Sequence, residues 1–225
     1  NTRANIAIGT GSGGATSITA DSVYITALNN FSKDEYSDST NLNSGSAGLG
    51  TISVLDSVTI LNSEAIVDVG PGTSLTALGS NAQPGRIQIA ASNNGTALDS
   101  VRVESVAAFG IGAGLSTIHF TGDSEINFDG AYVENKTGDV ALSTSANTQI
   151  RGTASLLIAG VLSGVAAADV DATNTVNNVV SVNNSTIKAS NIDLMSGLTP
   201  DGLVNILAAS GNAEIFAISF YPNIV

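Results

Sequence analysis

The sequence predicts an all-β protein, a right-handed parallel β-helix (β-solenoid) with one or two loop excursions, and three observations carry that reading. Short apolar/polar alternations recur along the whole chain. No apolar stripe at helical spacing with capping residues accompanies them. One phrase, Asp-Ser-Val-x-Ile/Val, returns several times. The alternating pairs run in order from Ile6/Ile8 and Val23/Ile25 through Val58/Ile60, Val67/Val69, Ile87/Ile89 and Val101/Val103. They continue as Ile118/Phe120, Ile126/Phe128, Val140/Leu142, Val180/Val182, Ile192/Leu194 and Val204/Ile206. A period of two puts successive side chains on opposite faces, so each pair reads as a short strand with one face buried. Gly, Asn, Ser and Asp bound these runs, and they tolerate the backbone conformations that chain reversal requires.

The repeated phrase selects among all-β architectures. It stands as "DSVYI" at Asp21, "DSVTI" at Asp56 and "DSVRV" at Asp99, and "SNIDL" at Ser190 fits the same slot. Separations of 35 and 43 residues are close to two turns of roughly 20 residues, a length typical of solenoid coils. About ten stacked coils are therefore expected. The stretches Thr16–Leu28, "TSITADSVYITAL", and Ser185–Gly197, "STIKASNIDLMSG", share one apolar pattern at opposite ends of the chain. They read as the same strand–turn–strand corner in distant coils. A β-sandwich would call for more Asn-Gly or Asp-Gly hairpin signals than "NNG" at Asn93.

Residues 1–225 read as one β-helix domain or a fragment of a longer solenoid. The run 29–50, with clustered charge and little apolar alternation, is expected to leave the stack as a loop. Ala166–Asn178, "AAADVDATNTVNN", reads as a second, smaller departure. The final "EIFAISFYPNIV" is strongly β-prone, and is expected to pack as a cap or continue into more protein.

Composition narrows the function. The chain is 43% apolar but only 4% aromatic and has no Trp, so its core must be built from Ile, Val, Leu and Ala. A net charge of −12 argues against nucleic acid, whose phosphates require clustered basic side chains. The longest apolar stretch, Ala154–Val170, is interrupted by Gly160, Ser163, Gly164 and Asp169, which argues against membrane insertion. Without Cys there is no disulfide framework, thiol nucleophile or thiolate metal site. The opening "NTRANIAIGT" has no signal-peptide pattern and no initiator Met, so the chain reads as a mature segment or an excised fragment.

Candidate chemistry is sparse. "GTGSGG" at Gly9–Gly14 lacks the Gly-Lys-Ser/Thr of a phosphate loop and reads as a turn. His119 lies between Ile118 and Phe120, so alternation points it away from the core. Arg102, Glu104, Asn127, Asp129 and Asp193 share that outward orientation. Glu104 brought beside Asp129 would make a glycosidase-like carboxylate pair. Asp34, Glu35 and Asp38 would offer oxygen ligands to Ca²⁺, but Lys33 stands in the same run and no cation-loop motif is present. Glycosylation sequons begin at Asn30, Asn94, Asn135, Asn183 and Asn184. The expectation is therefore no catalytic, cofactor or metal residue, and no enzymatic activity.

The stretches Ile187–Gly197, "IKASNIDLMSG", and Ile18–Leu28, "ITADSVYITAL", resemble the filamentous haemagglutinin-type repeats of large secreted bacterial adhesins. Those repeats favour Ile/Val-x-Ala-x-x-Ile/Leu-x-Leu-x-Ala-Gly. Val54–Ser63 and Gly85–Ser92 look like weaker copies. The resemblance implies a long extracellular shaft at the bacterial cell surface. It also implies the remainder of a longer polypeptide and an outer-membrane export partner. The Asn-Pro-Asn motif of the export domain is missing, so a shaft or decorated tip is the expectation. Host or surface glycans are the expected ligands. The competing readings are a β-helical polysaccharide lyase or hydrolase and a trimeric viral tail-fibre segment.

Overall fold

The computed structural model describes residues 1–11, 14–34, 42–197, 205–208 and 212–216, which form β-strands and no helix. The strands are β1 (Thr2–Ile8), β2 (Thr16–Ala20), β3 (Val23–Lys33), β4 (Leu42–Val69), β5 (Thr73–Ala77) and β6 (Arg86–Asp129). They continue as β7 (Tyr132–Asn135), β8 (Asp139–Asn183), β9 (Thr186–Lys188), β10 (Ile192–Ser196), β11 (Asn205–Ala208) and β12 (Asn212–Phe216). Every ladder among them is parallel. One sheet runs β1-β4-β6-β8-β10, with β3 on β6 and both β11 and β12 on β8; the other runs β2-β5-β7-β9.

Like residues stack in columns. Ile18 lies beside Leu75, Leu75 beside Val133 and Val133 beside Ile187. A second column runs Val23, Ile87, Val140, Ile192, and a third Ile25, Ile89, Leu142, Leu194. The two matching stretches at Thr16–Leu28 and Ser185–Gly197 thus occupy the same columns, three steps apart.

The spacing between partners corrects the expected short repeat. Ile192 pairs with Val140, 52 residues away, and Val23 with Ile87, 64 away. The phrases at Asp21, Asp56 and Asp99 do not stack on one another: Asp56 lies beside Leu115 and Asp99 beside Gly152. The strands are far longer than the alternation suggested, since β4 has 28 residues, β6 has 44 and β8 has 45. Ser, Thr, Asn and Gly read as turn formers in isolation. Here they carry the ladder onward, because its hydrogen bonds use backbone groups alone.

The predicted excursion at 29–50 is narrowed, and the one at Ala166–Asn178 is corrected, for the same reason. Asn29–Lys33 completes β3 and Leu42–Gly50 opens β4, while residues 35–41 lie outside the described residues. Ala166–Asn178 runs inside β8, with Ala166, Ala168 and Val170 buried. Of the terminal segment, Glu214–Phe216 belongs to β12 against β8, and the rest lies outside the described residues.

The interior has two characters. At one end of the molecule Val23, Ile25, Val67, Leu75, Ile87, Ile89, Ile126, Phe128, Val133, Val140 and Leu142 form one continuous apolar core. Away from it, the two halves of β6 double back and face each other, with Asn93 against Ser124 and Asp99 against Ser116. The ladder to β8 shifts register between Ala107 and Phe109, and Gly48 and Gly50 of β4 sit alongside. Phe31 stacks on Phe120 at 4.9 Å between ring centres.

Polar side chains share this part of the interior with two smaller apolar clusters, one around Val101, Val103 and Leu156 and one around Ile118, Phe120 and Ile150. Asp99, fully buried, accepts hydrogen bonds at Oδ1 from Ser57 (2.7 Å), Thr59 (3.1 Å) and Lys33 Nζ (3.3 Å), and at Oδ2 from Ser116 (2.6 Å). Asn29 donates to Ser63 Oγ at 2.9 Å, Ser63 to Asn93 Oδ1 at 2.7 Å, and Asn93 to Ser124 Oγ at 3.1 Å. Each bond contributes only about 1 kcal/mol net, but leaving such a buried group unpaired costs about 1–3 kcal/mol.

This polar lining inverts β4. Ser53, Ser57, Thr59 and Ser63 point inward, so Ile52, Val54, Val58 and Ile60 point out. The expectation that Val58 and Ile60 face the core is corrected, since they are 58% and 65% exposed. The acceptor at Asp99 favours this orientation, because it brings the hydroxyls of Ser57 and Thr59 to Oδ1 alongside Lys33.

Candidate functional site

A groove of about 430 Å³ lies on the outer face where the start of β3, the start of β6 and the start of β8 run side by side. Its construction begins with Asn135, a buried residue at the end of β7. Asn135 Nδ2 donates to the carbonyls of Gly85 and Asp139, both at 2.8 Å, and its Oδ1 accepts from the amides of Thr137 (3.2 Å) and Gly138 (3.0 Å). Thr137 Oγ1 accepts from the Gly85 amide at 2.8 Å. Two corners are thereby clamped together.

Glycine is required at the clamp. A Cβ on Gly138 would fall 2.1 Å from the Gly85 carbonyl oxygen, and one on Gly85 would fall 2.8 Å from that of Asp21. The chain leaves these corners as Arg86 and Asp139, adjacent in the ladder and both exposed. Asn191 Nδ2 donates to Asp139 Oδ1 at 2.8 Å, and Ser22 Oγ accepts from the Arg86 amide at 3.0 Å. One step along the outer face, Tyr24 and Asp193 join the lining with Gln83. Tyr24 is 63% exposed, so most of its ring is open to solvent.

This arrangement suits a hydroxyl-rich ligand. An open aromatic face packs against the C–H face of a sugar ring, while a planar guanidinium and carboxylates bond hydroxyls in pairs. Arg86 brings one positive charge against two negative ones from Asp139 and Asp193. The local balance is net negative, which disfavours anionic ligands.

Of the outward residues singled out in the sequence, the groove gathers only Asp193. Arg102 and Glu104 form an ion pair with each other near the bend of β6. His119 faces outward, with Nε2 at 3.9 Å from Asp171 Oδ2. Asn127 donates to Asp68 Oδ1 at 3.1 Å, and with Asp129 it borders a shallower depression of about 260 Å³. Glu104 and Asp129 stand far apart along β6, so the glycosidase-like pair is not formed. Asn135 is buried and scaffolds the groove, so its sequon is not an open acceptor. Gly9, in the glycine-rich turn, has φ 64°, while Ser12 and Gly13 lie outside the described residues.

The acidic cluster divides. Asp34 accepts from Ser32 Oγ at 3.3 Å, Lys33 turns inward to Asp99, and Glu35 and Asp38 lie outside the described residues. Among the described residues no group of three or more His, Asp or Glu side chains is placed to hold a metal ion. Tyr24, Arg86 and Asp139 escaped sequence reasoning because they lie far apart in the chain. Only the 64- and 53-residue ladder offsets bring them together. No family model, curated protein or solved structure matches the chain.

Proposed function

We propose that the chain is a right-handed parallel β-helix serving as a segment of an extracellular adhesin or filament at the bacterial cell surface. In this reading it carries no enzymatic activity and contacts neutral glycans through the Tyr24–Arg86–Asp139–Asp193 groove. One observation carries the glycan half: an exposed aromatic ring beside a guanidinium and two carboxylates, on corners locked by Asn135. Uniformly parallel ladders with stacked apolar columns support the shaft half, since every rung adds length along one axis. The likeness of Ile18–Leu28 and Ile187–Gly197 to adhesin repeats supports the surface location. It carries with it the remainder of a longer polypeptide and an outer-membrane export partner. A net charge of −12 speaks against nucleic acid and anionic membranes as partners.

A glycan array tests this proposal, with cleavage of the same glycans assayed in parallel. Saturable binding of neutral glycans is expected, lost in Tyr24→Ala and weakened in Arg86→Ala and Asp193→Asn, with no cleavage. Binding that survives Tyr24→Ala would sink the groove assignment. Cleavage would move the protein to the polysaccharide hydrolase or lyase class.

A further inference from the structure

We propose that the groove opens onto an extended subsite for a linear, uncharged polysaccharide, lying along the outer faces of β3, β6 and β8. The proposal rests on the glycan reading of the groove. Beyond Tyr24 the three strands run in unbroken parallel register, residues 24–32 beside 88–96 and these beside 141–149. The three stretches contain no Asp, Glu, Lys or Arg, in a chain with 19 acidic and 7 basic residues. A charge-free face suits an uncharged, hydroxyl-rich partner, because no charge is stripped of water and left unpaired when the ligand docks. The face uses no unpaired sheet edge, since β6 runs between β3 and β8 over this whole length.

Alternation fixes what this face presents. Ile25, Ala27, Ile89, Ala91, Leu142 and Ala146 are buried, so their chain neighbours point outward. Asn30, Asn94 and Asn147 form one outward column across the strands, and Ser32, Thr96 and Gln149 form the next. Ser145 Oγ donates to Ser92 Oγ at 3.0 Å, Ser92 Oγ to Asn94 Oδ1 at 3.3 Å, and Asn94 Nδ2 to Asn30 Oδ1 at 3.4 Å. These bonds hold the side chains in place from strand to strand, so less rotamer freedom is lost on binding. Hydroxyls and carboxamides can donate and accept more bonds than this chain of contacts uses, which leaves capacity for sugar hydroxyls. Half-exposed Leu28 and partly exposed Ala90 offer apolar ground for the C–H faces of the rings.

From residue 24 to residue 32 the strand covers about 26 Å at roughly 3.3 Å per residue, room for a run of several sugar units. The Tyr24 ring stands at one end of that run. A polysaccharide stacked there continues across the Asn30–Asn94–Asn147 column toward Thr96. The groove alone accommodates a short oligosaccharide, and the added face selects for chain length and an unbranched, uncharged backbone.

Calorimetric titration of the full chain with cellulose, chitin and amylose oligomers, each from dimer to hexamer, tests the length dependence. At least one series should tighten by about tenfold or more between dimer and hexamer, the factor that one or two net hydrogen bonds supply. Asn94→Ala and the isosteric Thr96→Val should each weaken hexamer binding about threefold or more. Both should leave dimer affinity unchanged, which also shows that the variants fold. Equal affinity at every length would overturn the extended subsite and leave the groove reading intact, as would a length-dependent gain that survives both substitutions. If no oligomer of any length bound, the groove reading would fail and this proposal with it.

Discussion

The phrase Asp-Ser-Val-x-Ile/Val points inward in β6 and outward in β4. In "DSVRV" the side chains of Asp99, Val101 and Val103 are fully buried, while in "DSVTI" Asp56, Val58 and Ile60 are exposed. Locally they differ at the fourth position, where Thr59 can turn inward as a hydroxyl donor and charged Arg102 stays out. The facing strand differs too: Asp99 takes hydroxyl donors from it, and "DSVTI" supplies Ser57 and Thr59 only by turning its aliphatic residues out. A period of two fixes which residues share a face, and a distant buried carboxylate fixes which face is inside.

Substitutions can break this comparison, and the largest effect should come from a reference site away from it. Phe128→Ala empties a large side chain from the apolar core and should cost about 3–5 kcal/mol in chemical denaturation. A smaller loss would mean that core is loosely packed. Asp99→Ala comes next, at about 3 kcal/mol, because Lys33, Ser57, Thr59 and Ser116 all lose their acceptor. If it proved neutral, the polar network would have no part in orienting β4.

The comparison itself is sharpened by making one change in both phrases. Val101→Ser removes apolar volume and buries a hydroxyl, so it should destabilise by about 2–3 kcal/mol. Val58→Ser should stay within about 0.5 kcal/mol. Equal costs would show that both valines are buried. The smallest effect belongs to Arg3→Ala, which breaks the exposed 3.1 Å pair with Glu64 and should cost at most about 0.5 kcal/mol.

Legibility in the sequence follows the same division. The columns through Ile18, Val23 and Ile25 were readable because strongly apolar residues stand there in every copy, and Ile187, Ile192 and Leu194 complete them. Strand lengths were not readable. Asn29, Ser63 and Asn93 look like turn residues until their side chains are seen bonded to one another inside. The candidate groove was legible only at Asp193. Its other members come from corners whose closeness depends on ladder offsets near sixty residues, and no short-range pattern carries that information. Outwardness was the easier inference: His119, between fully buried Ile118 and nearly buried Phe120, lies where alternation placed it.

The inversion of β4 is the central structural claim, and thiol accessibility measures it directly in this cysteine-free chain. Val58→Cys and Thr59→Cys would be prepared separately and labelled with a maleimide in the native state and in denaturant. The account predicts that Cys at position 58 labels in the native protein nearly as fast as when unfolded, while Cys at position 59 is strongly protected. The reverse order, with position 58 protected and position 59 open, would contradict it.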